Sequence, residues 1–308
     1  MRKTLPRLFL CFAFMLPATA LAGEKIRISF VARSTSSGYW TAVREGAELA
    51  SRSHEDVELV FTGPENRDDV DEQIQIIESE LAAGSQAMII APCDEKRLIP
   101  TLDKAHLQGV KIILYDSSSP WPDKAGSVGS NNVLGGYLAA DYIASRLDGK
   151  GLVAVITGNL STSPAVSRVN GAREALRLRR DIKLVAVRSA DWDTEKAYRE
   201  TLDLLRAHPD LDAFFCCNDD MAMGTLKAVE ENGSAAFVVG FDATPQSLQS
   251  VQDGRLAATV AQNSHNSGRL AVHAAYRAAT NKKIPAFIDT GMQLVTRENV
   301  RQFLVGAE

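Results

Sequence analysis

The chain alternates apolar runs of strand length with longer amphipathic segments, and that alternation decides most of what it can become. The runs cover residues 26–32, 57–61, 87–90, 110–115, 152–157, 183–187, 213–217, 236–241 and 257–261. They are continuous rather than polar-alternating, as strands buried on both faces of a parallel sheet must be. Helical patterns fall between them, at 39–51, 69–83, 95–108, 133–147, 164–178, 194–207, 220–231 and 266–280. In the second of these Val70, Ile74, Ile77 and Leu81 recur at three- and four-residue spacing, and Gly84 supplies the stop. Repeated βα units predict a doubly wound α/β fold. Nine or ten strands are too many for one ordinary open sheet, so two lobes are expected, dividing near Ser130 and Asn131 after a turn-rich stretch at 117–130.

The first residues carry a compartment signal. Arg2, Lys3 and Arg7 precede an apolar run at 8–16, and A-x-A is written twice between Ala18 and Ala22. That is the form of a cleaved secretory signal, and its apolar run is shorter than the roughly 20 residues a membrane-spanning helix needs. Cys11 lies inside the run, before the cleavage region, which argues against a lipid anchor. Removing residues 1–22 from 308 leaves 286, near the size at which single cores split. Without the signal's three basic residues the 34 basic residues become 31 against 38 acidic, a formal charge of −7. An acidic, well-mixed surface argues against a nucleic-acid partner. Cys93, Cys216 and Cys217 then remain, an odd set containing an adjacent pair, which is no disulfide framework. They read as small buried hydrophobes.

In open α/β sheets ligands bind outside the carboxyl ends of the strands. There the sequence places Arg33 and the run Ser34 to Trp40, Asp116, a polar loop leading to Arg168, Trp192, Asn218 to Asp220, Asp242 and Gln262. Carboxylates and amides each engage two neighbouring hydroxyls, Arg presents a fixed fork of donors, and flat rings cover the C–H faces of a sugar. Each residue also has a plainer reading. Asp or Asn after a strand commonly caps the next helix, the reading preferred here for Asp219 and Asp220. Tyr39 and Trp40 open a helix and also suit a core, and Arg168 also suits a helix surface. What separates the readings is that chemically matched side chains all fall at one edge of the sheets.

No catalytic signature survives the same scrutiny. H-E-x-x-H, C-x-x-C, G-x-S-x-G and Gly-rich phosphate loops are missing. His54, His106, His208, His265 and His273 fall at no metal-ligand spacing and read as solvated surface. The expectation is a binding protein without catalytic residues, metal or cofactor.

Several stretches together identify a resemblance. They are Gly38-Tyr39-Trp40 with Glu45-Gly46-Ala47, 130–136 (SNNVLGG), 168–171 (RVNG), 190–193 (ADWD), 218–224 (NDDMAMG), 239–245 (VGFDATP) and 256–262 (LAATVAQ). In this order and spacing the chain resembles the type I periplasmic sugar-binding proteins, most closely ribose binders, over nearly its whole length. The resemblance implies two Rossmann-like lobes, each a parallel sheet flanked by helices, joined by three hinge crossovers. Residues 23–130 plus 263–289 would form one lobe and 131–262 plus 290–308 the other. It implies Tyr39, Trp40 and Trp192 as aromatic walls and Asp116, Arg168, Asn218, Asp242 and Gln262 as polar contacts, with Arg33 and Ser37 beside them. Two departures stand out: Ala91 where ribose binders carry Asn, and Ser117 where they carry Arg. Trp40 and Trp192 are also bulkier than the phenylalanines usual there, so the hydroxyl pattern read differs from that of ribose. The resemblance further implies a monomer in the periplasm that delivers a sugar or polyol to an inner-membrane ABC permease. The other partner that fold serves is a chemoreceptor or sensor kinase. A repressor effector domain shares the fold, but a signal stands where its helix-turn-helix would be.

Overall fold

A computed structural model describes residues 25–304 other than 118. The signal read at 1–22 lies outside the described residues.

Six strands make the first sheet: β1 (Ile26–Val31), β2 (Val57–Thr62), β3 (Ala87–Ile90), β4 (Lys111–Tyr115), β5 (Gly126–Gly129) and β11 (Phe287–Asp289). Six more make the second: β6 (Lys150–Thr157), β7 (Asp181–Ser189), β8 (Ala213–Cys216), β9 (Phe237–Asp242), β10 (Ala258–Ala261) and β12 (Gln293–Thr296). The orders are β11-β5-β4-β3-β1-β2 and β12-β10-β9-β8-β6-β7, so the two sheets repeat one topology. Every pairing is parallel except β12 on β10. The helices are α1 (Gly38–Arg52), α2 (Val70–Ala82), α3 (Ile99–Leu107), α4 (Asn132–Arg146), α5 (Ser163–Arg177), α6 (Thr194–Ala207), α7 (Asp219–Glu231), α8 (Pro245–Gln252), α9 (Ser264–Ala279) and α10 (Arg301–Leu304).

The central strands β3 and β8 are buried throughout, because helices cover both faces of each sheet. Phe30, Phe214, Phe215 and Phe241 are fully buried, each worth about 1.5–3 kcal/mol in removed apolar surface. The expected strands and eight expected helices form, most within two residues of their predicted ends. Three strands went unforeseen. β5 is GSVG, and β11 and β12 are only three and four residues long, so none carries an apolar run of strand length. The helix predicted over 95–108 begins only at Ile99, with a proline in its first turn, where a ring lacking N–H is tolerated. Nor is the stretch 117–130 merely loose: Trp121 is buried, and its indole N–H donates to Asp103 at 2.7 Å.

The chain passes between the sheets three times: from β5 into α4, from β10 into α9, and from β11 into β12. The three passages touch. Ser130 and Thr290 hydroxyls lie 2.7 Å apart, and the Asn263 amide donates to the Thr290 carbonyl at 3.4 Å. Asn263 and Gly291 take left-handed backbone there, with φ of 56° and 78°. After crossing, α9 packs on α1 and the first sheet, while α4 packs on α5 and the second.

Two histidines depart from the solvated reading, while His106 and His265 are exposed. His54 Nε2 and His273 Nδ1 are 3.0 Å apart, and His54 stacks on Tyr276 with ring centres 3.9 Å apart. His54 follows the end of α1 and His273 lies on α9, which packs on α1, so half-burial draws the rings into contact. Cys93, Cys216 and Cys217 are buried thiols. Burial lifts the Cys93 and Cys217 pKa values to about 12, which keeps them protonated.

Candidate functional site

The carboxyl ends of the two sheets face each other across a shared cavity. All ten residues expected from sequence line it: Arg33, Ser37, Tyr39, Trp40, Asp116, Arg168, Trp192, Asn218, Asp242 and Gln262. Arg67, Asp68 and Pro164 line it as well and were not foreseen. Arg67 and Asp68 sit several residues beyond the end of β2, past the strand-end positions at which polar residues were sought.

On the first lobe, Ser37 caps α1 by accepting from the Trp40 N–H at 3.4 Å, which starts the helix with the rings of Tyr39 and Trp40 in its first turn. Trp40 is 5% exposed and meets Tyr39 edge-on, ring centres 5.0 Å apart. The Tyr39 hydroxyl donates to Asp116 Oδ1 at 3.2 Å. Burial first, and the Asp116 charge second, push its pKa well above the usual phenol range. Arg33 donates through Nε to Asp68 Oδ1 at 2.8 Å, and its Nη1 reaches Ser117 Oγ at 3.4 Å and stands 3.9 Å from Asp116 Oδ2. Burial disfavours that guanidinium charge, but Asp68 and Asp116 outweigh it and raise the pKa.

On the second lobe, Arg168 is a buried side chain of α5, not a surface one. Its Nε donates to Asn132 Oδ1 at 2.8 Å and its Nη1 to the Cys217 carbonyl at 2.5 Å, with Asp242 Oδ1 3.8 Å away. Helix α4 approaches closely enough to meet it because residues 136 and 171, where the two helices touch, are both glycine. A Cβ on Gly136 would stand 2.0 Å from the Arg168 carbonyl oxygen. Gln262 donates to Asp242 Oδ1 at 2.5 Å. Trp192 lies flat on Gly158, where an added Cβ would come within 1.9 Å of the indole. Among the described residues, the buried Trp192 Nε1 and Gln262 Oε1 have no hydrogen-bond partner.

The capping expectation for Asp219 and Asp220 is corrected. Asn218 itself caps α7, accepting from the Met221 N–H at 2.9 Å. That leaves Asp219 turned inward and fully buried, where it accepts from the N–H groups of Phe241 at 2.9 Å and Thr244 at 2.8 Å and from the Thr259 hydroxyl at 2.8 Å. It therefore fixes the turn that presents Asp242. Burial pushes the Asp219 pKa up to about 6, and burial together with the neighbouring Asp219 charge pushes Asp242 well up too, against the pull of Arg168. Asp220 instead pairs with Arg67 at 3.0 Å. Each arginine of the cleft thus has a carboxylate partner, so the cavity is nearly charge-balanced and suits a neutral occupant with many hydroxyls. Among the described residues no group of three His, Cys, Asp or Glu side chains is placed to hold a metal ion.

Two parallel sheets of one topology, three crossovers and an interlobe polar–aromatic cavity define a two-lobed solute receptor. A family model described as a periplasmic binding protein domain matches residues 28–283. The chain belongs to that family, among its type I sugar-binding members, and it is a binding protein rather than an enzyme. It is 33% identical over 264 residues to a D-ribose/D-allose-binding protein of Pseudomonas aeruginosa, covering 82% of each chain. To a ribose import binding protein of Salmonella typhimurium it is 29% identical over 297 residues, covering 96% of this chain and 99% of the other. A solved ABC transporter periplasmic solute-binding protein from Actinobacillus succinogenes with bound D-allose superposes with a TM-score of 0.85. That chain is 29% identical, and the match covers 90% of this chain and all of that one.

Proposed function

We propose that this protein captures a neutral monosaccharide or cyclic polyol in the interlobe cavity and delivers it to an inner-membrane ABC permease. Its residues 1–22 direct it to the periplasm and are then removed, and it works as a monomer. The observation that carries the reading is convergence: Tyr39, Trp40 and Asp116 from one lobe meet Arg168, Trp192, Asn218, Asp242 and Gln262 from the other around one cavity. Relatives that bind ribose or allose by name support the sugar class. The two lobes, 23–130 plus 263–289 and 131–262 plus 290–308, rotate as units about the crossovers. Ligand contacts made by both lobes exist only in the closed state and so favour it.

Ribose is not the preferred occupant. Ala91 offers no amide, and Ser117 offers a hydroxyl already within reach of Arg33 Nη1, so the first lobe reads its ligand differently from the ribose pattern. The larger indoles of Trp40 and Trp192 suit the faces of a six-membered ring. The test is native mass spectrometry of protein purified without denaturation, followed by melting curves with ribose, allose, arabinose, xylitol and myo-inositol. A retained mass of a sugar or polyol, or a raised melting temperature with a six-membered ring, is expected. No retained mass and no shift with any of them would refute the sugar reading.

A further inference from the structure

Arg67 escaped every expectation from sequence, yet it joins the lobes more directly than any other side chain of the cleft. It stands on the first lobe, in the loop between β2 and α2. Its Nη1 donates to the Trp192 carbonyl at 2.7 Å and its Nη2 to Asp220 Oδ2 at 3.0 Å, both on the second lobe. Its neighbour Asp68, at φ 63°, accepts from Arg33 Nε at 2.8 Å, and its N–H donates to the Arg33 carbonyl at 3.2 Å. Arg33 in turn faces the Trp192 ring, 5.8 Å from its centre. One turn of the first lobe therefore reaches Trp192 twice, at the backbone and at the ring.

Trp192 sits where such support matters. Asp191 and Trp192 are consecutive left-handed residues, with φ of 50° and 65°, a backbone that side-chain-bearing residues avoid. Asp191 is tied down within its own lobe by Ser189 and Lys196. The Trp192 carbonyl, by contrast, takes its hydrogen bond from across the cleft. Another cross-lobe bond, from the Ser163 N–H to Glu95 at 2.8 Å, ends on a helix terminus rather than on Trp192.

We propose that Arg67 is a positioning residue that latches the closed state. By gripping the Trp192 carbonyl and the Asp220 carboxylate together, it holds the strained turn so that the indole becomes a finished wall only when the lobes meet. The inference rests on the reading that the lobes separate at the crossovers. A guanidinium fork suits the task because it makes both bonds at once, whereas a lysine ammonium offers no such planar fork. Both partners keep some contact with water, so the latch weakens as salt rises.

The test starts from the ligand-free mature chain, so that its latch arms do not depend on which sugar binds, and repeats the wild-type scattering with each sugar of the panel. X-ray scattering from low to high salt would compare wild type with R67M, R67K, D220N and the R67M/D220N double variant. In parallel, fluorine NMR of fluorotryptophan-labelled protein would follow the three tryptophans, with Trp192 assigned through Trp192→Phe. Wild type should be most compact at low salt, and R67M and D220N should each lower the compact fraction there. The double variant should be no more open than R67M, and R67K should recover part of the loss. The Trp192 resonance should move in R67M while that of Trp121 stays. Additive effects of R67M and D220N, or an unmoved Trp192 resonance, would overturn the latch and leave sugar capture untouched. A wild type with one unchanging envelope at every salt and with every sugar would overturn hinge closure itself, and the latch with it.

Discussion

Trp192 is the residue on which the proposed ligand wall of the second lobe depends. Its indole rests on the bare backbone of Gly158 and carries an unpartnered Nε1. Trp192→Ala should weaken sugar binding by about a hundredfold, within the range seen for central aromatic anchors, while far-UV circular dichroism is unchanged. Gly158→Ala keeps the indole but pushes it off its seat. A loss of about tenfold in affinity, read by calorimetry, is expected, and unaltered affinity would show that the seat does not matter. Buried Asp219 gives a third test. Its folded pKa of about 6 lies above the ordinary carboxylate value of 3.8, so the folded chain binds a proton more readily than the unfolded one. Its burial thus costs stability above pH 6, and the cost is relieved as pH falls from about 6 toward 4. The melting temperature should gain a few degrees between pH 7 and 5, and Asp219→Asn should reduce that gain, leaving the part due to Asp242. Legibility at this scale followed the strand ends. Asp116, Asp242 and Gln262 come directly after apolar runs and were readable. Arg67 and Asp68 lie deep in a loop after an edge strand, where no periodicity marks them, and only three-dimensional closure brings them to the cleft.

Among the elements, the pairing of α4 with α5 matters most for the site, because Arg168 leaves α5 toward the cavity beside the close approach of α4 at Gly136. Gly136→Val places side-chain atoms on the Arg168 backbone, 2.0 Å from where the first carbon must go. Overpacking of this kind costs about 1–3 kcal/mol, and here it should lower both the melting temperature and sugar affinity. A drop in stability with full affinity would mean that Arg168 is not positioned by that contact. The long strands and helices were legible because each buries a continuous face. β5, β11 and β12 were not: GSVG has no apolar run, and the other two are edge strands whose place is set by partners already formed. Helix α8 was missed for a related reason. It is eight residues long, and its start is fixed by the Thr244 cap rather than by a strong apolar period.

In the whole molecule, the repeated strand order of the two sheets turns one topology into two facing jaws, and the neighbouring crossovers at Ser130, Asn263 and Thr290 give those jaws a common edge about which to turn. The sequence announced two lobes through the number of its strands, but not that their edges would match. The proposed function requires that the two jaws grip a single unaltered sugar between them. A crystal structure of the chain with the ligand it retains on purification, or with the tightest binder of the panel, tests this most directly. An intact ring is expected between Trp40 and Trp192, within hydrogen-bond reach of Asp116 on one side and of Arg168 and Asp242 on the other. A ligand bound to one lobe alone, bound outside this cleft, or recovered chemically changed would contradict it.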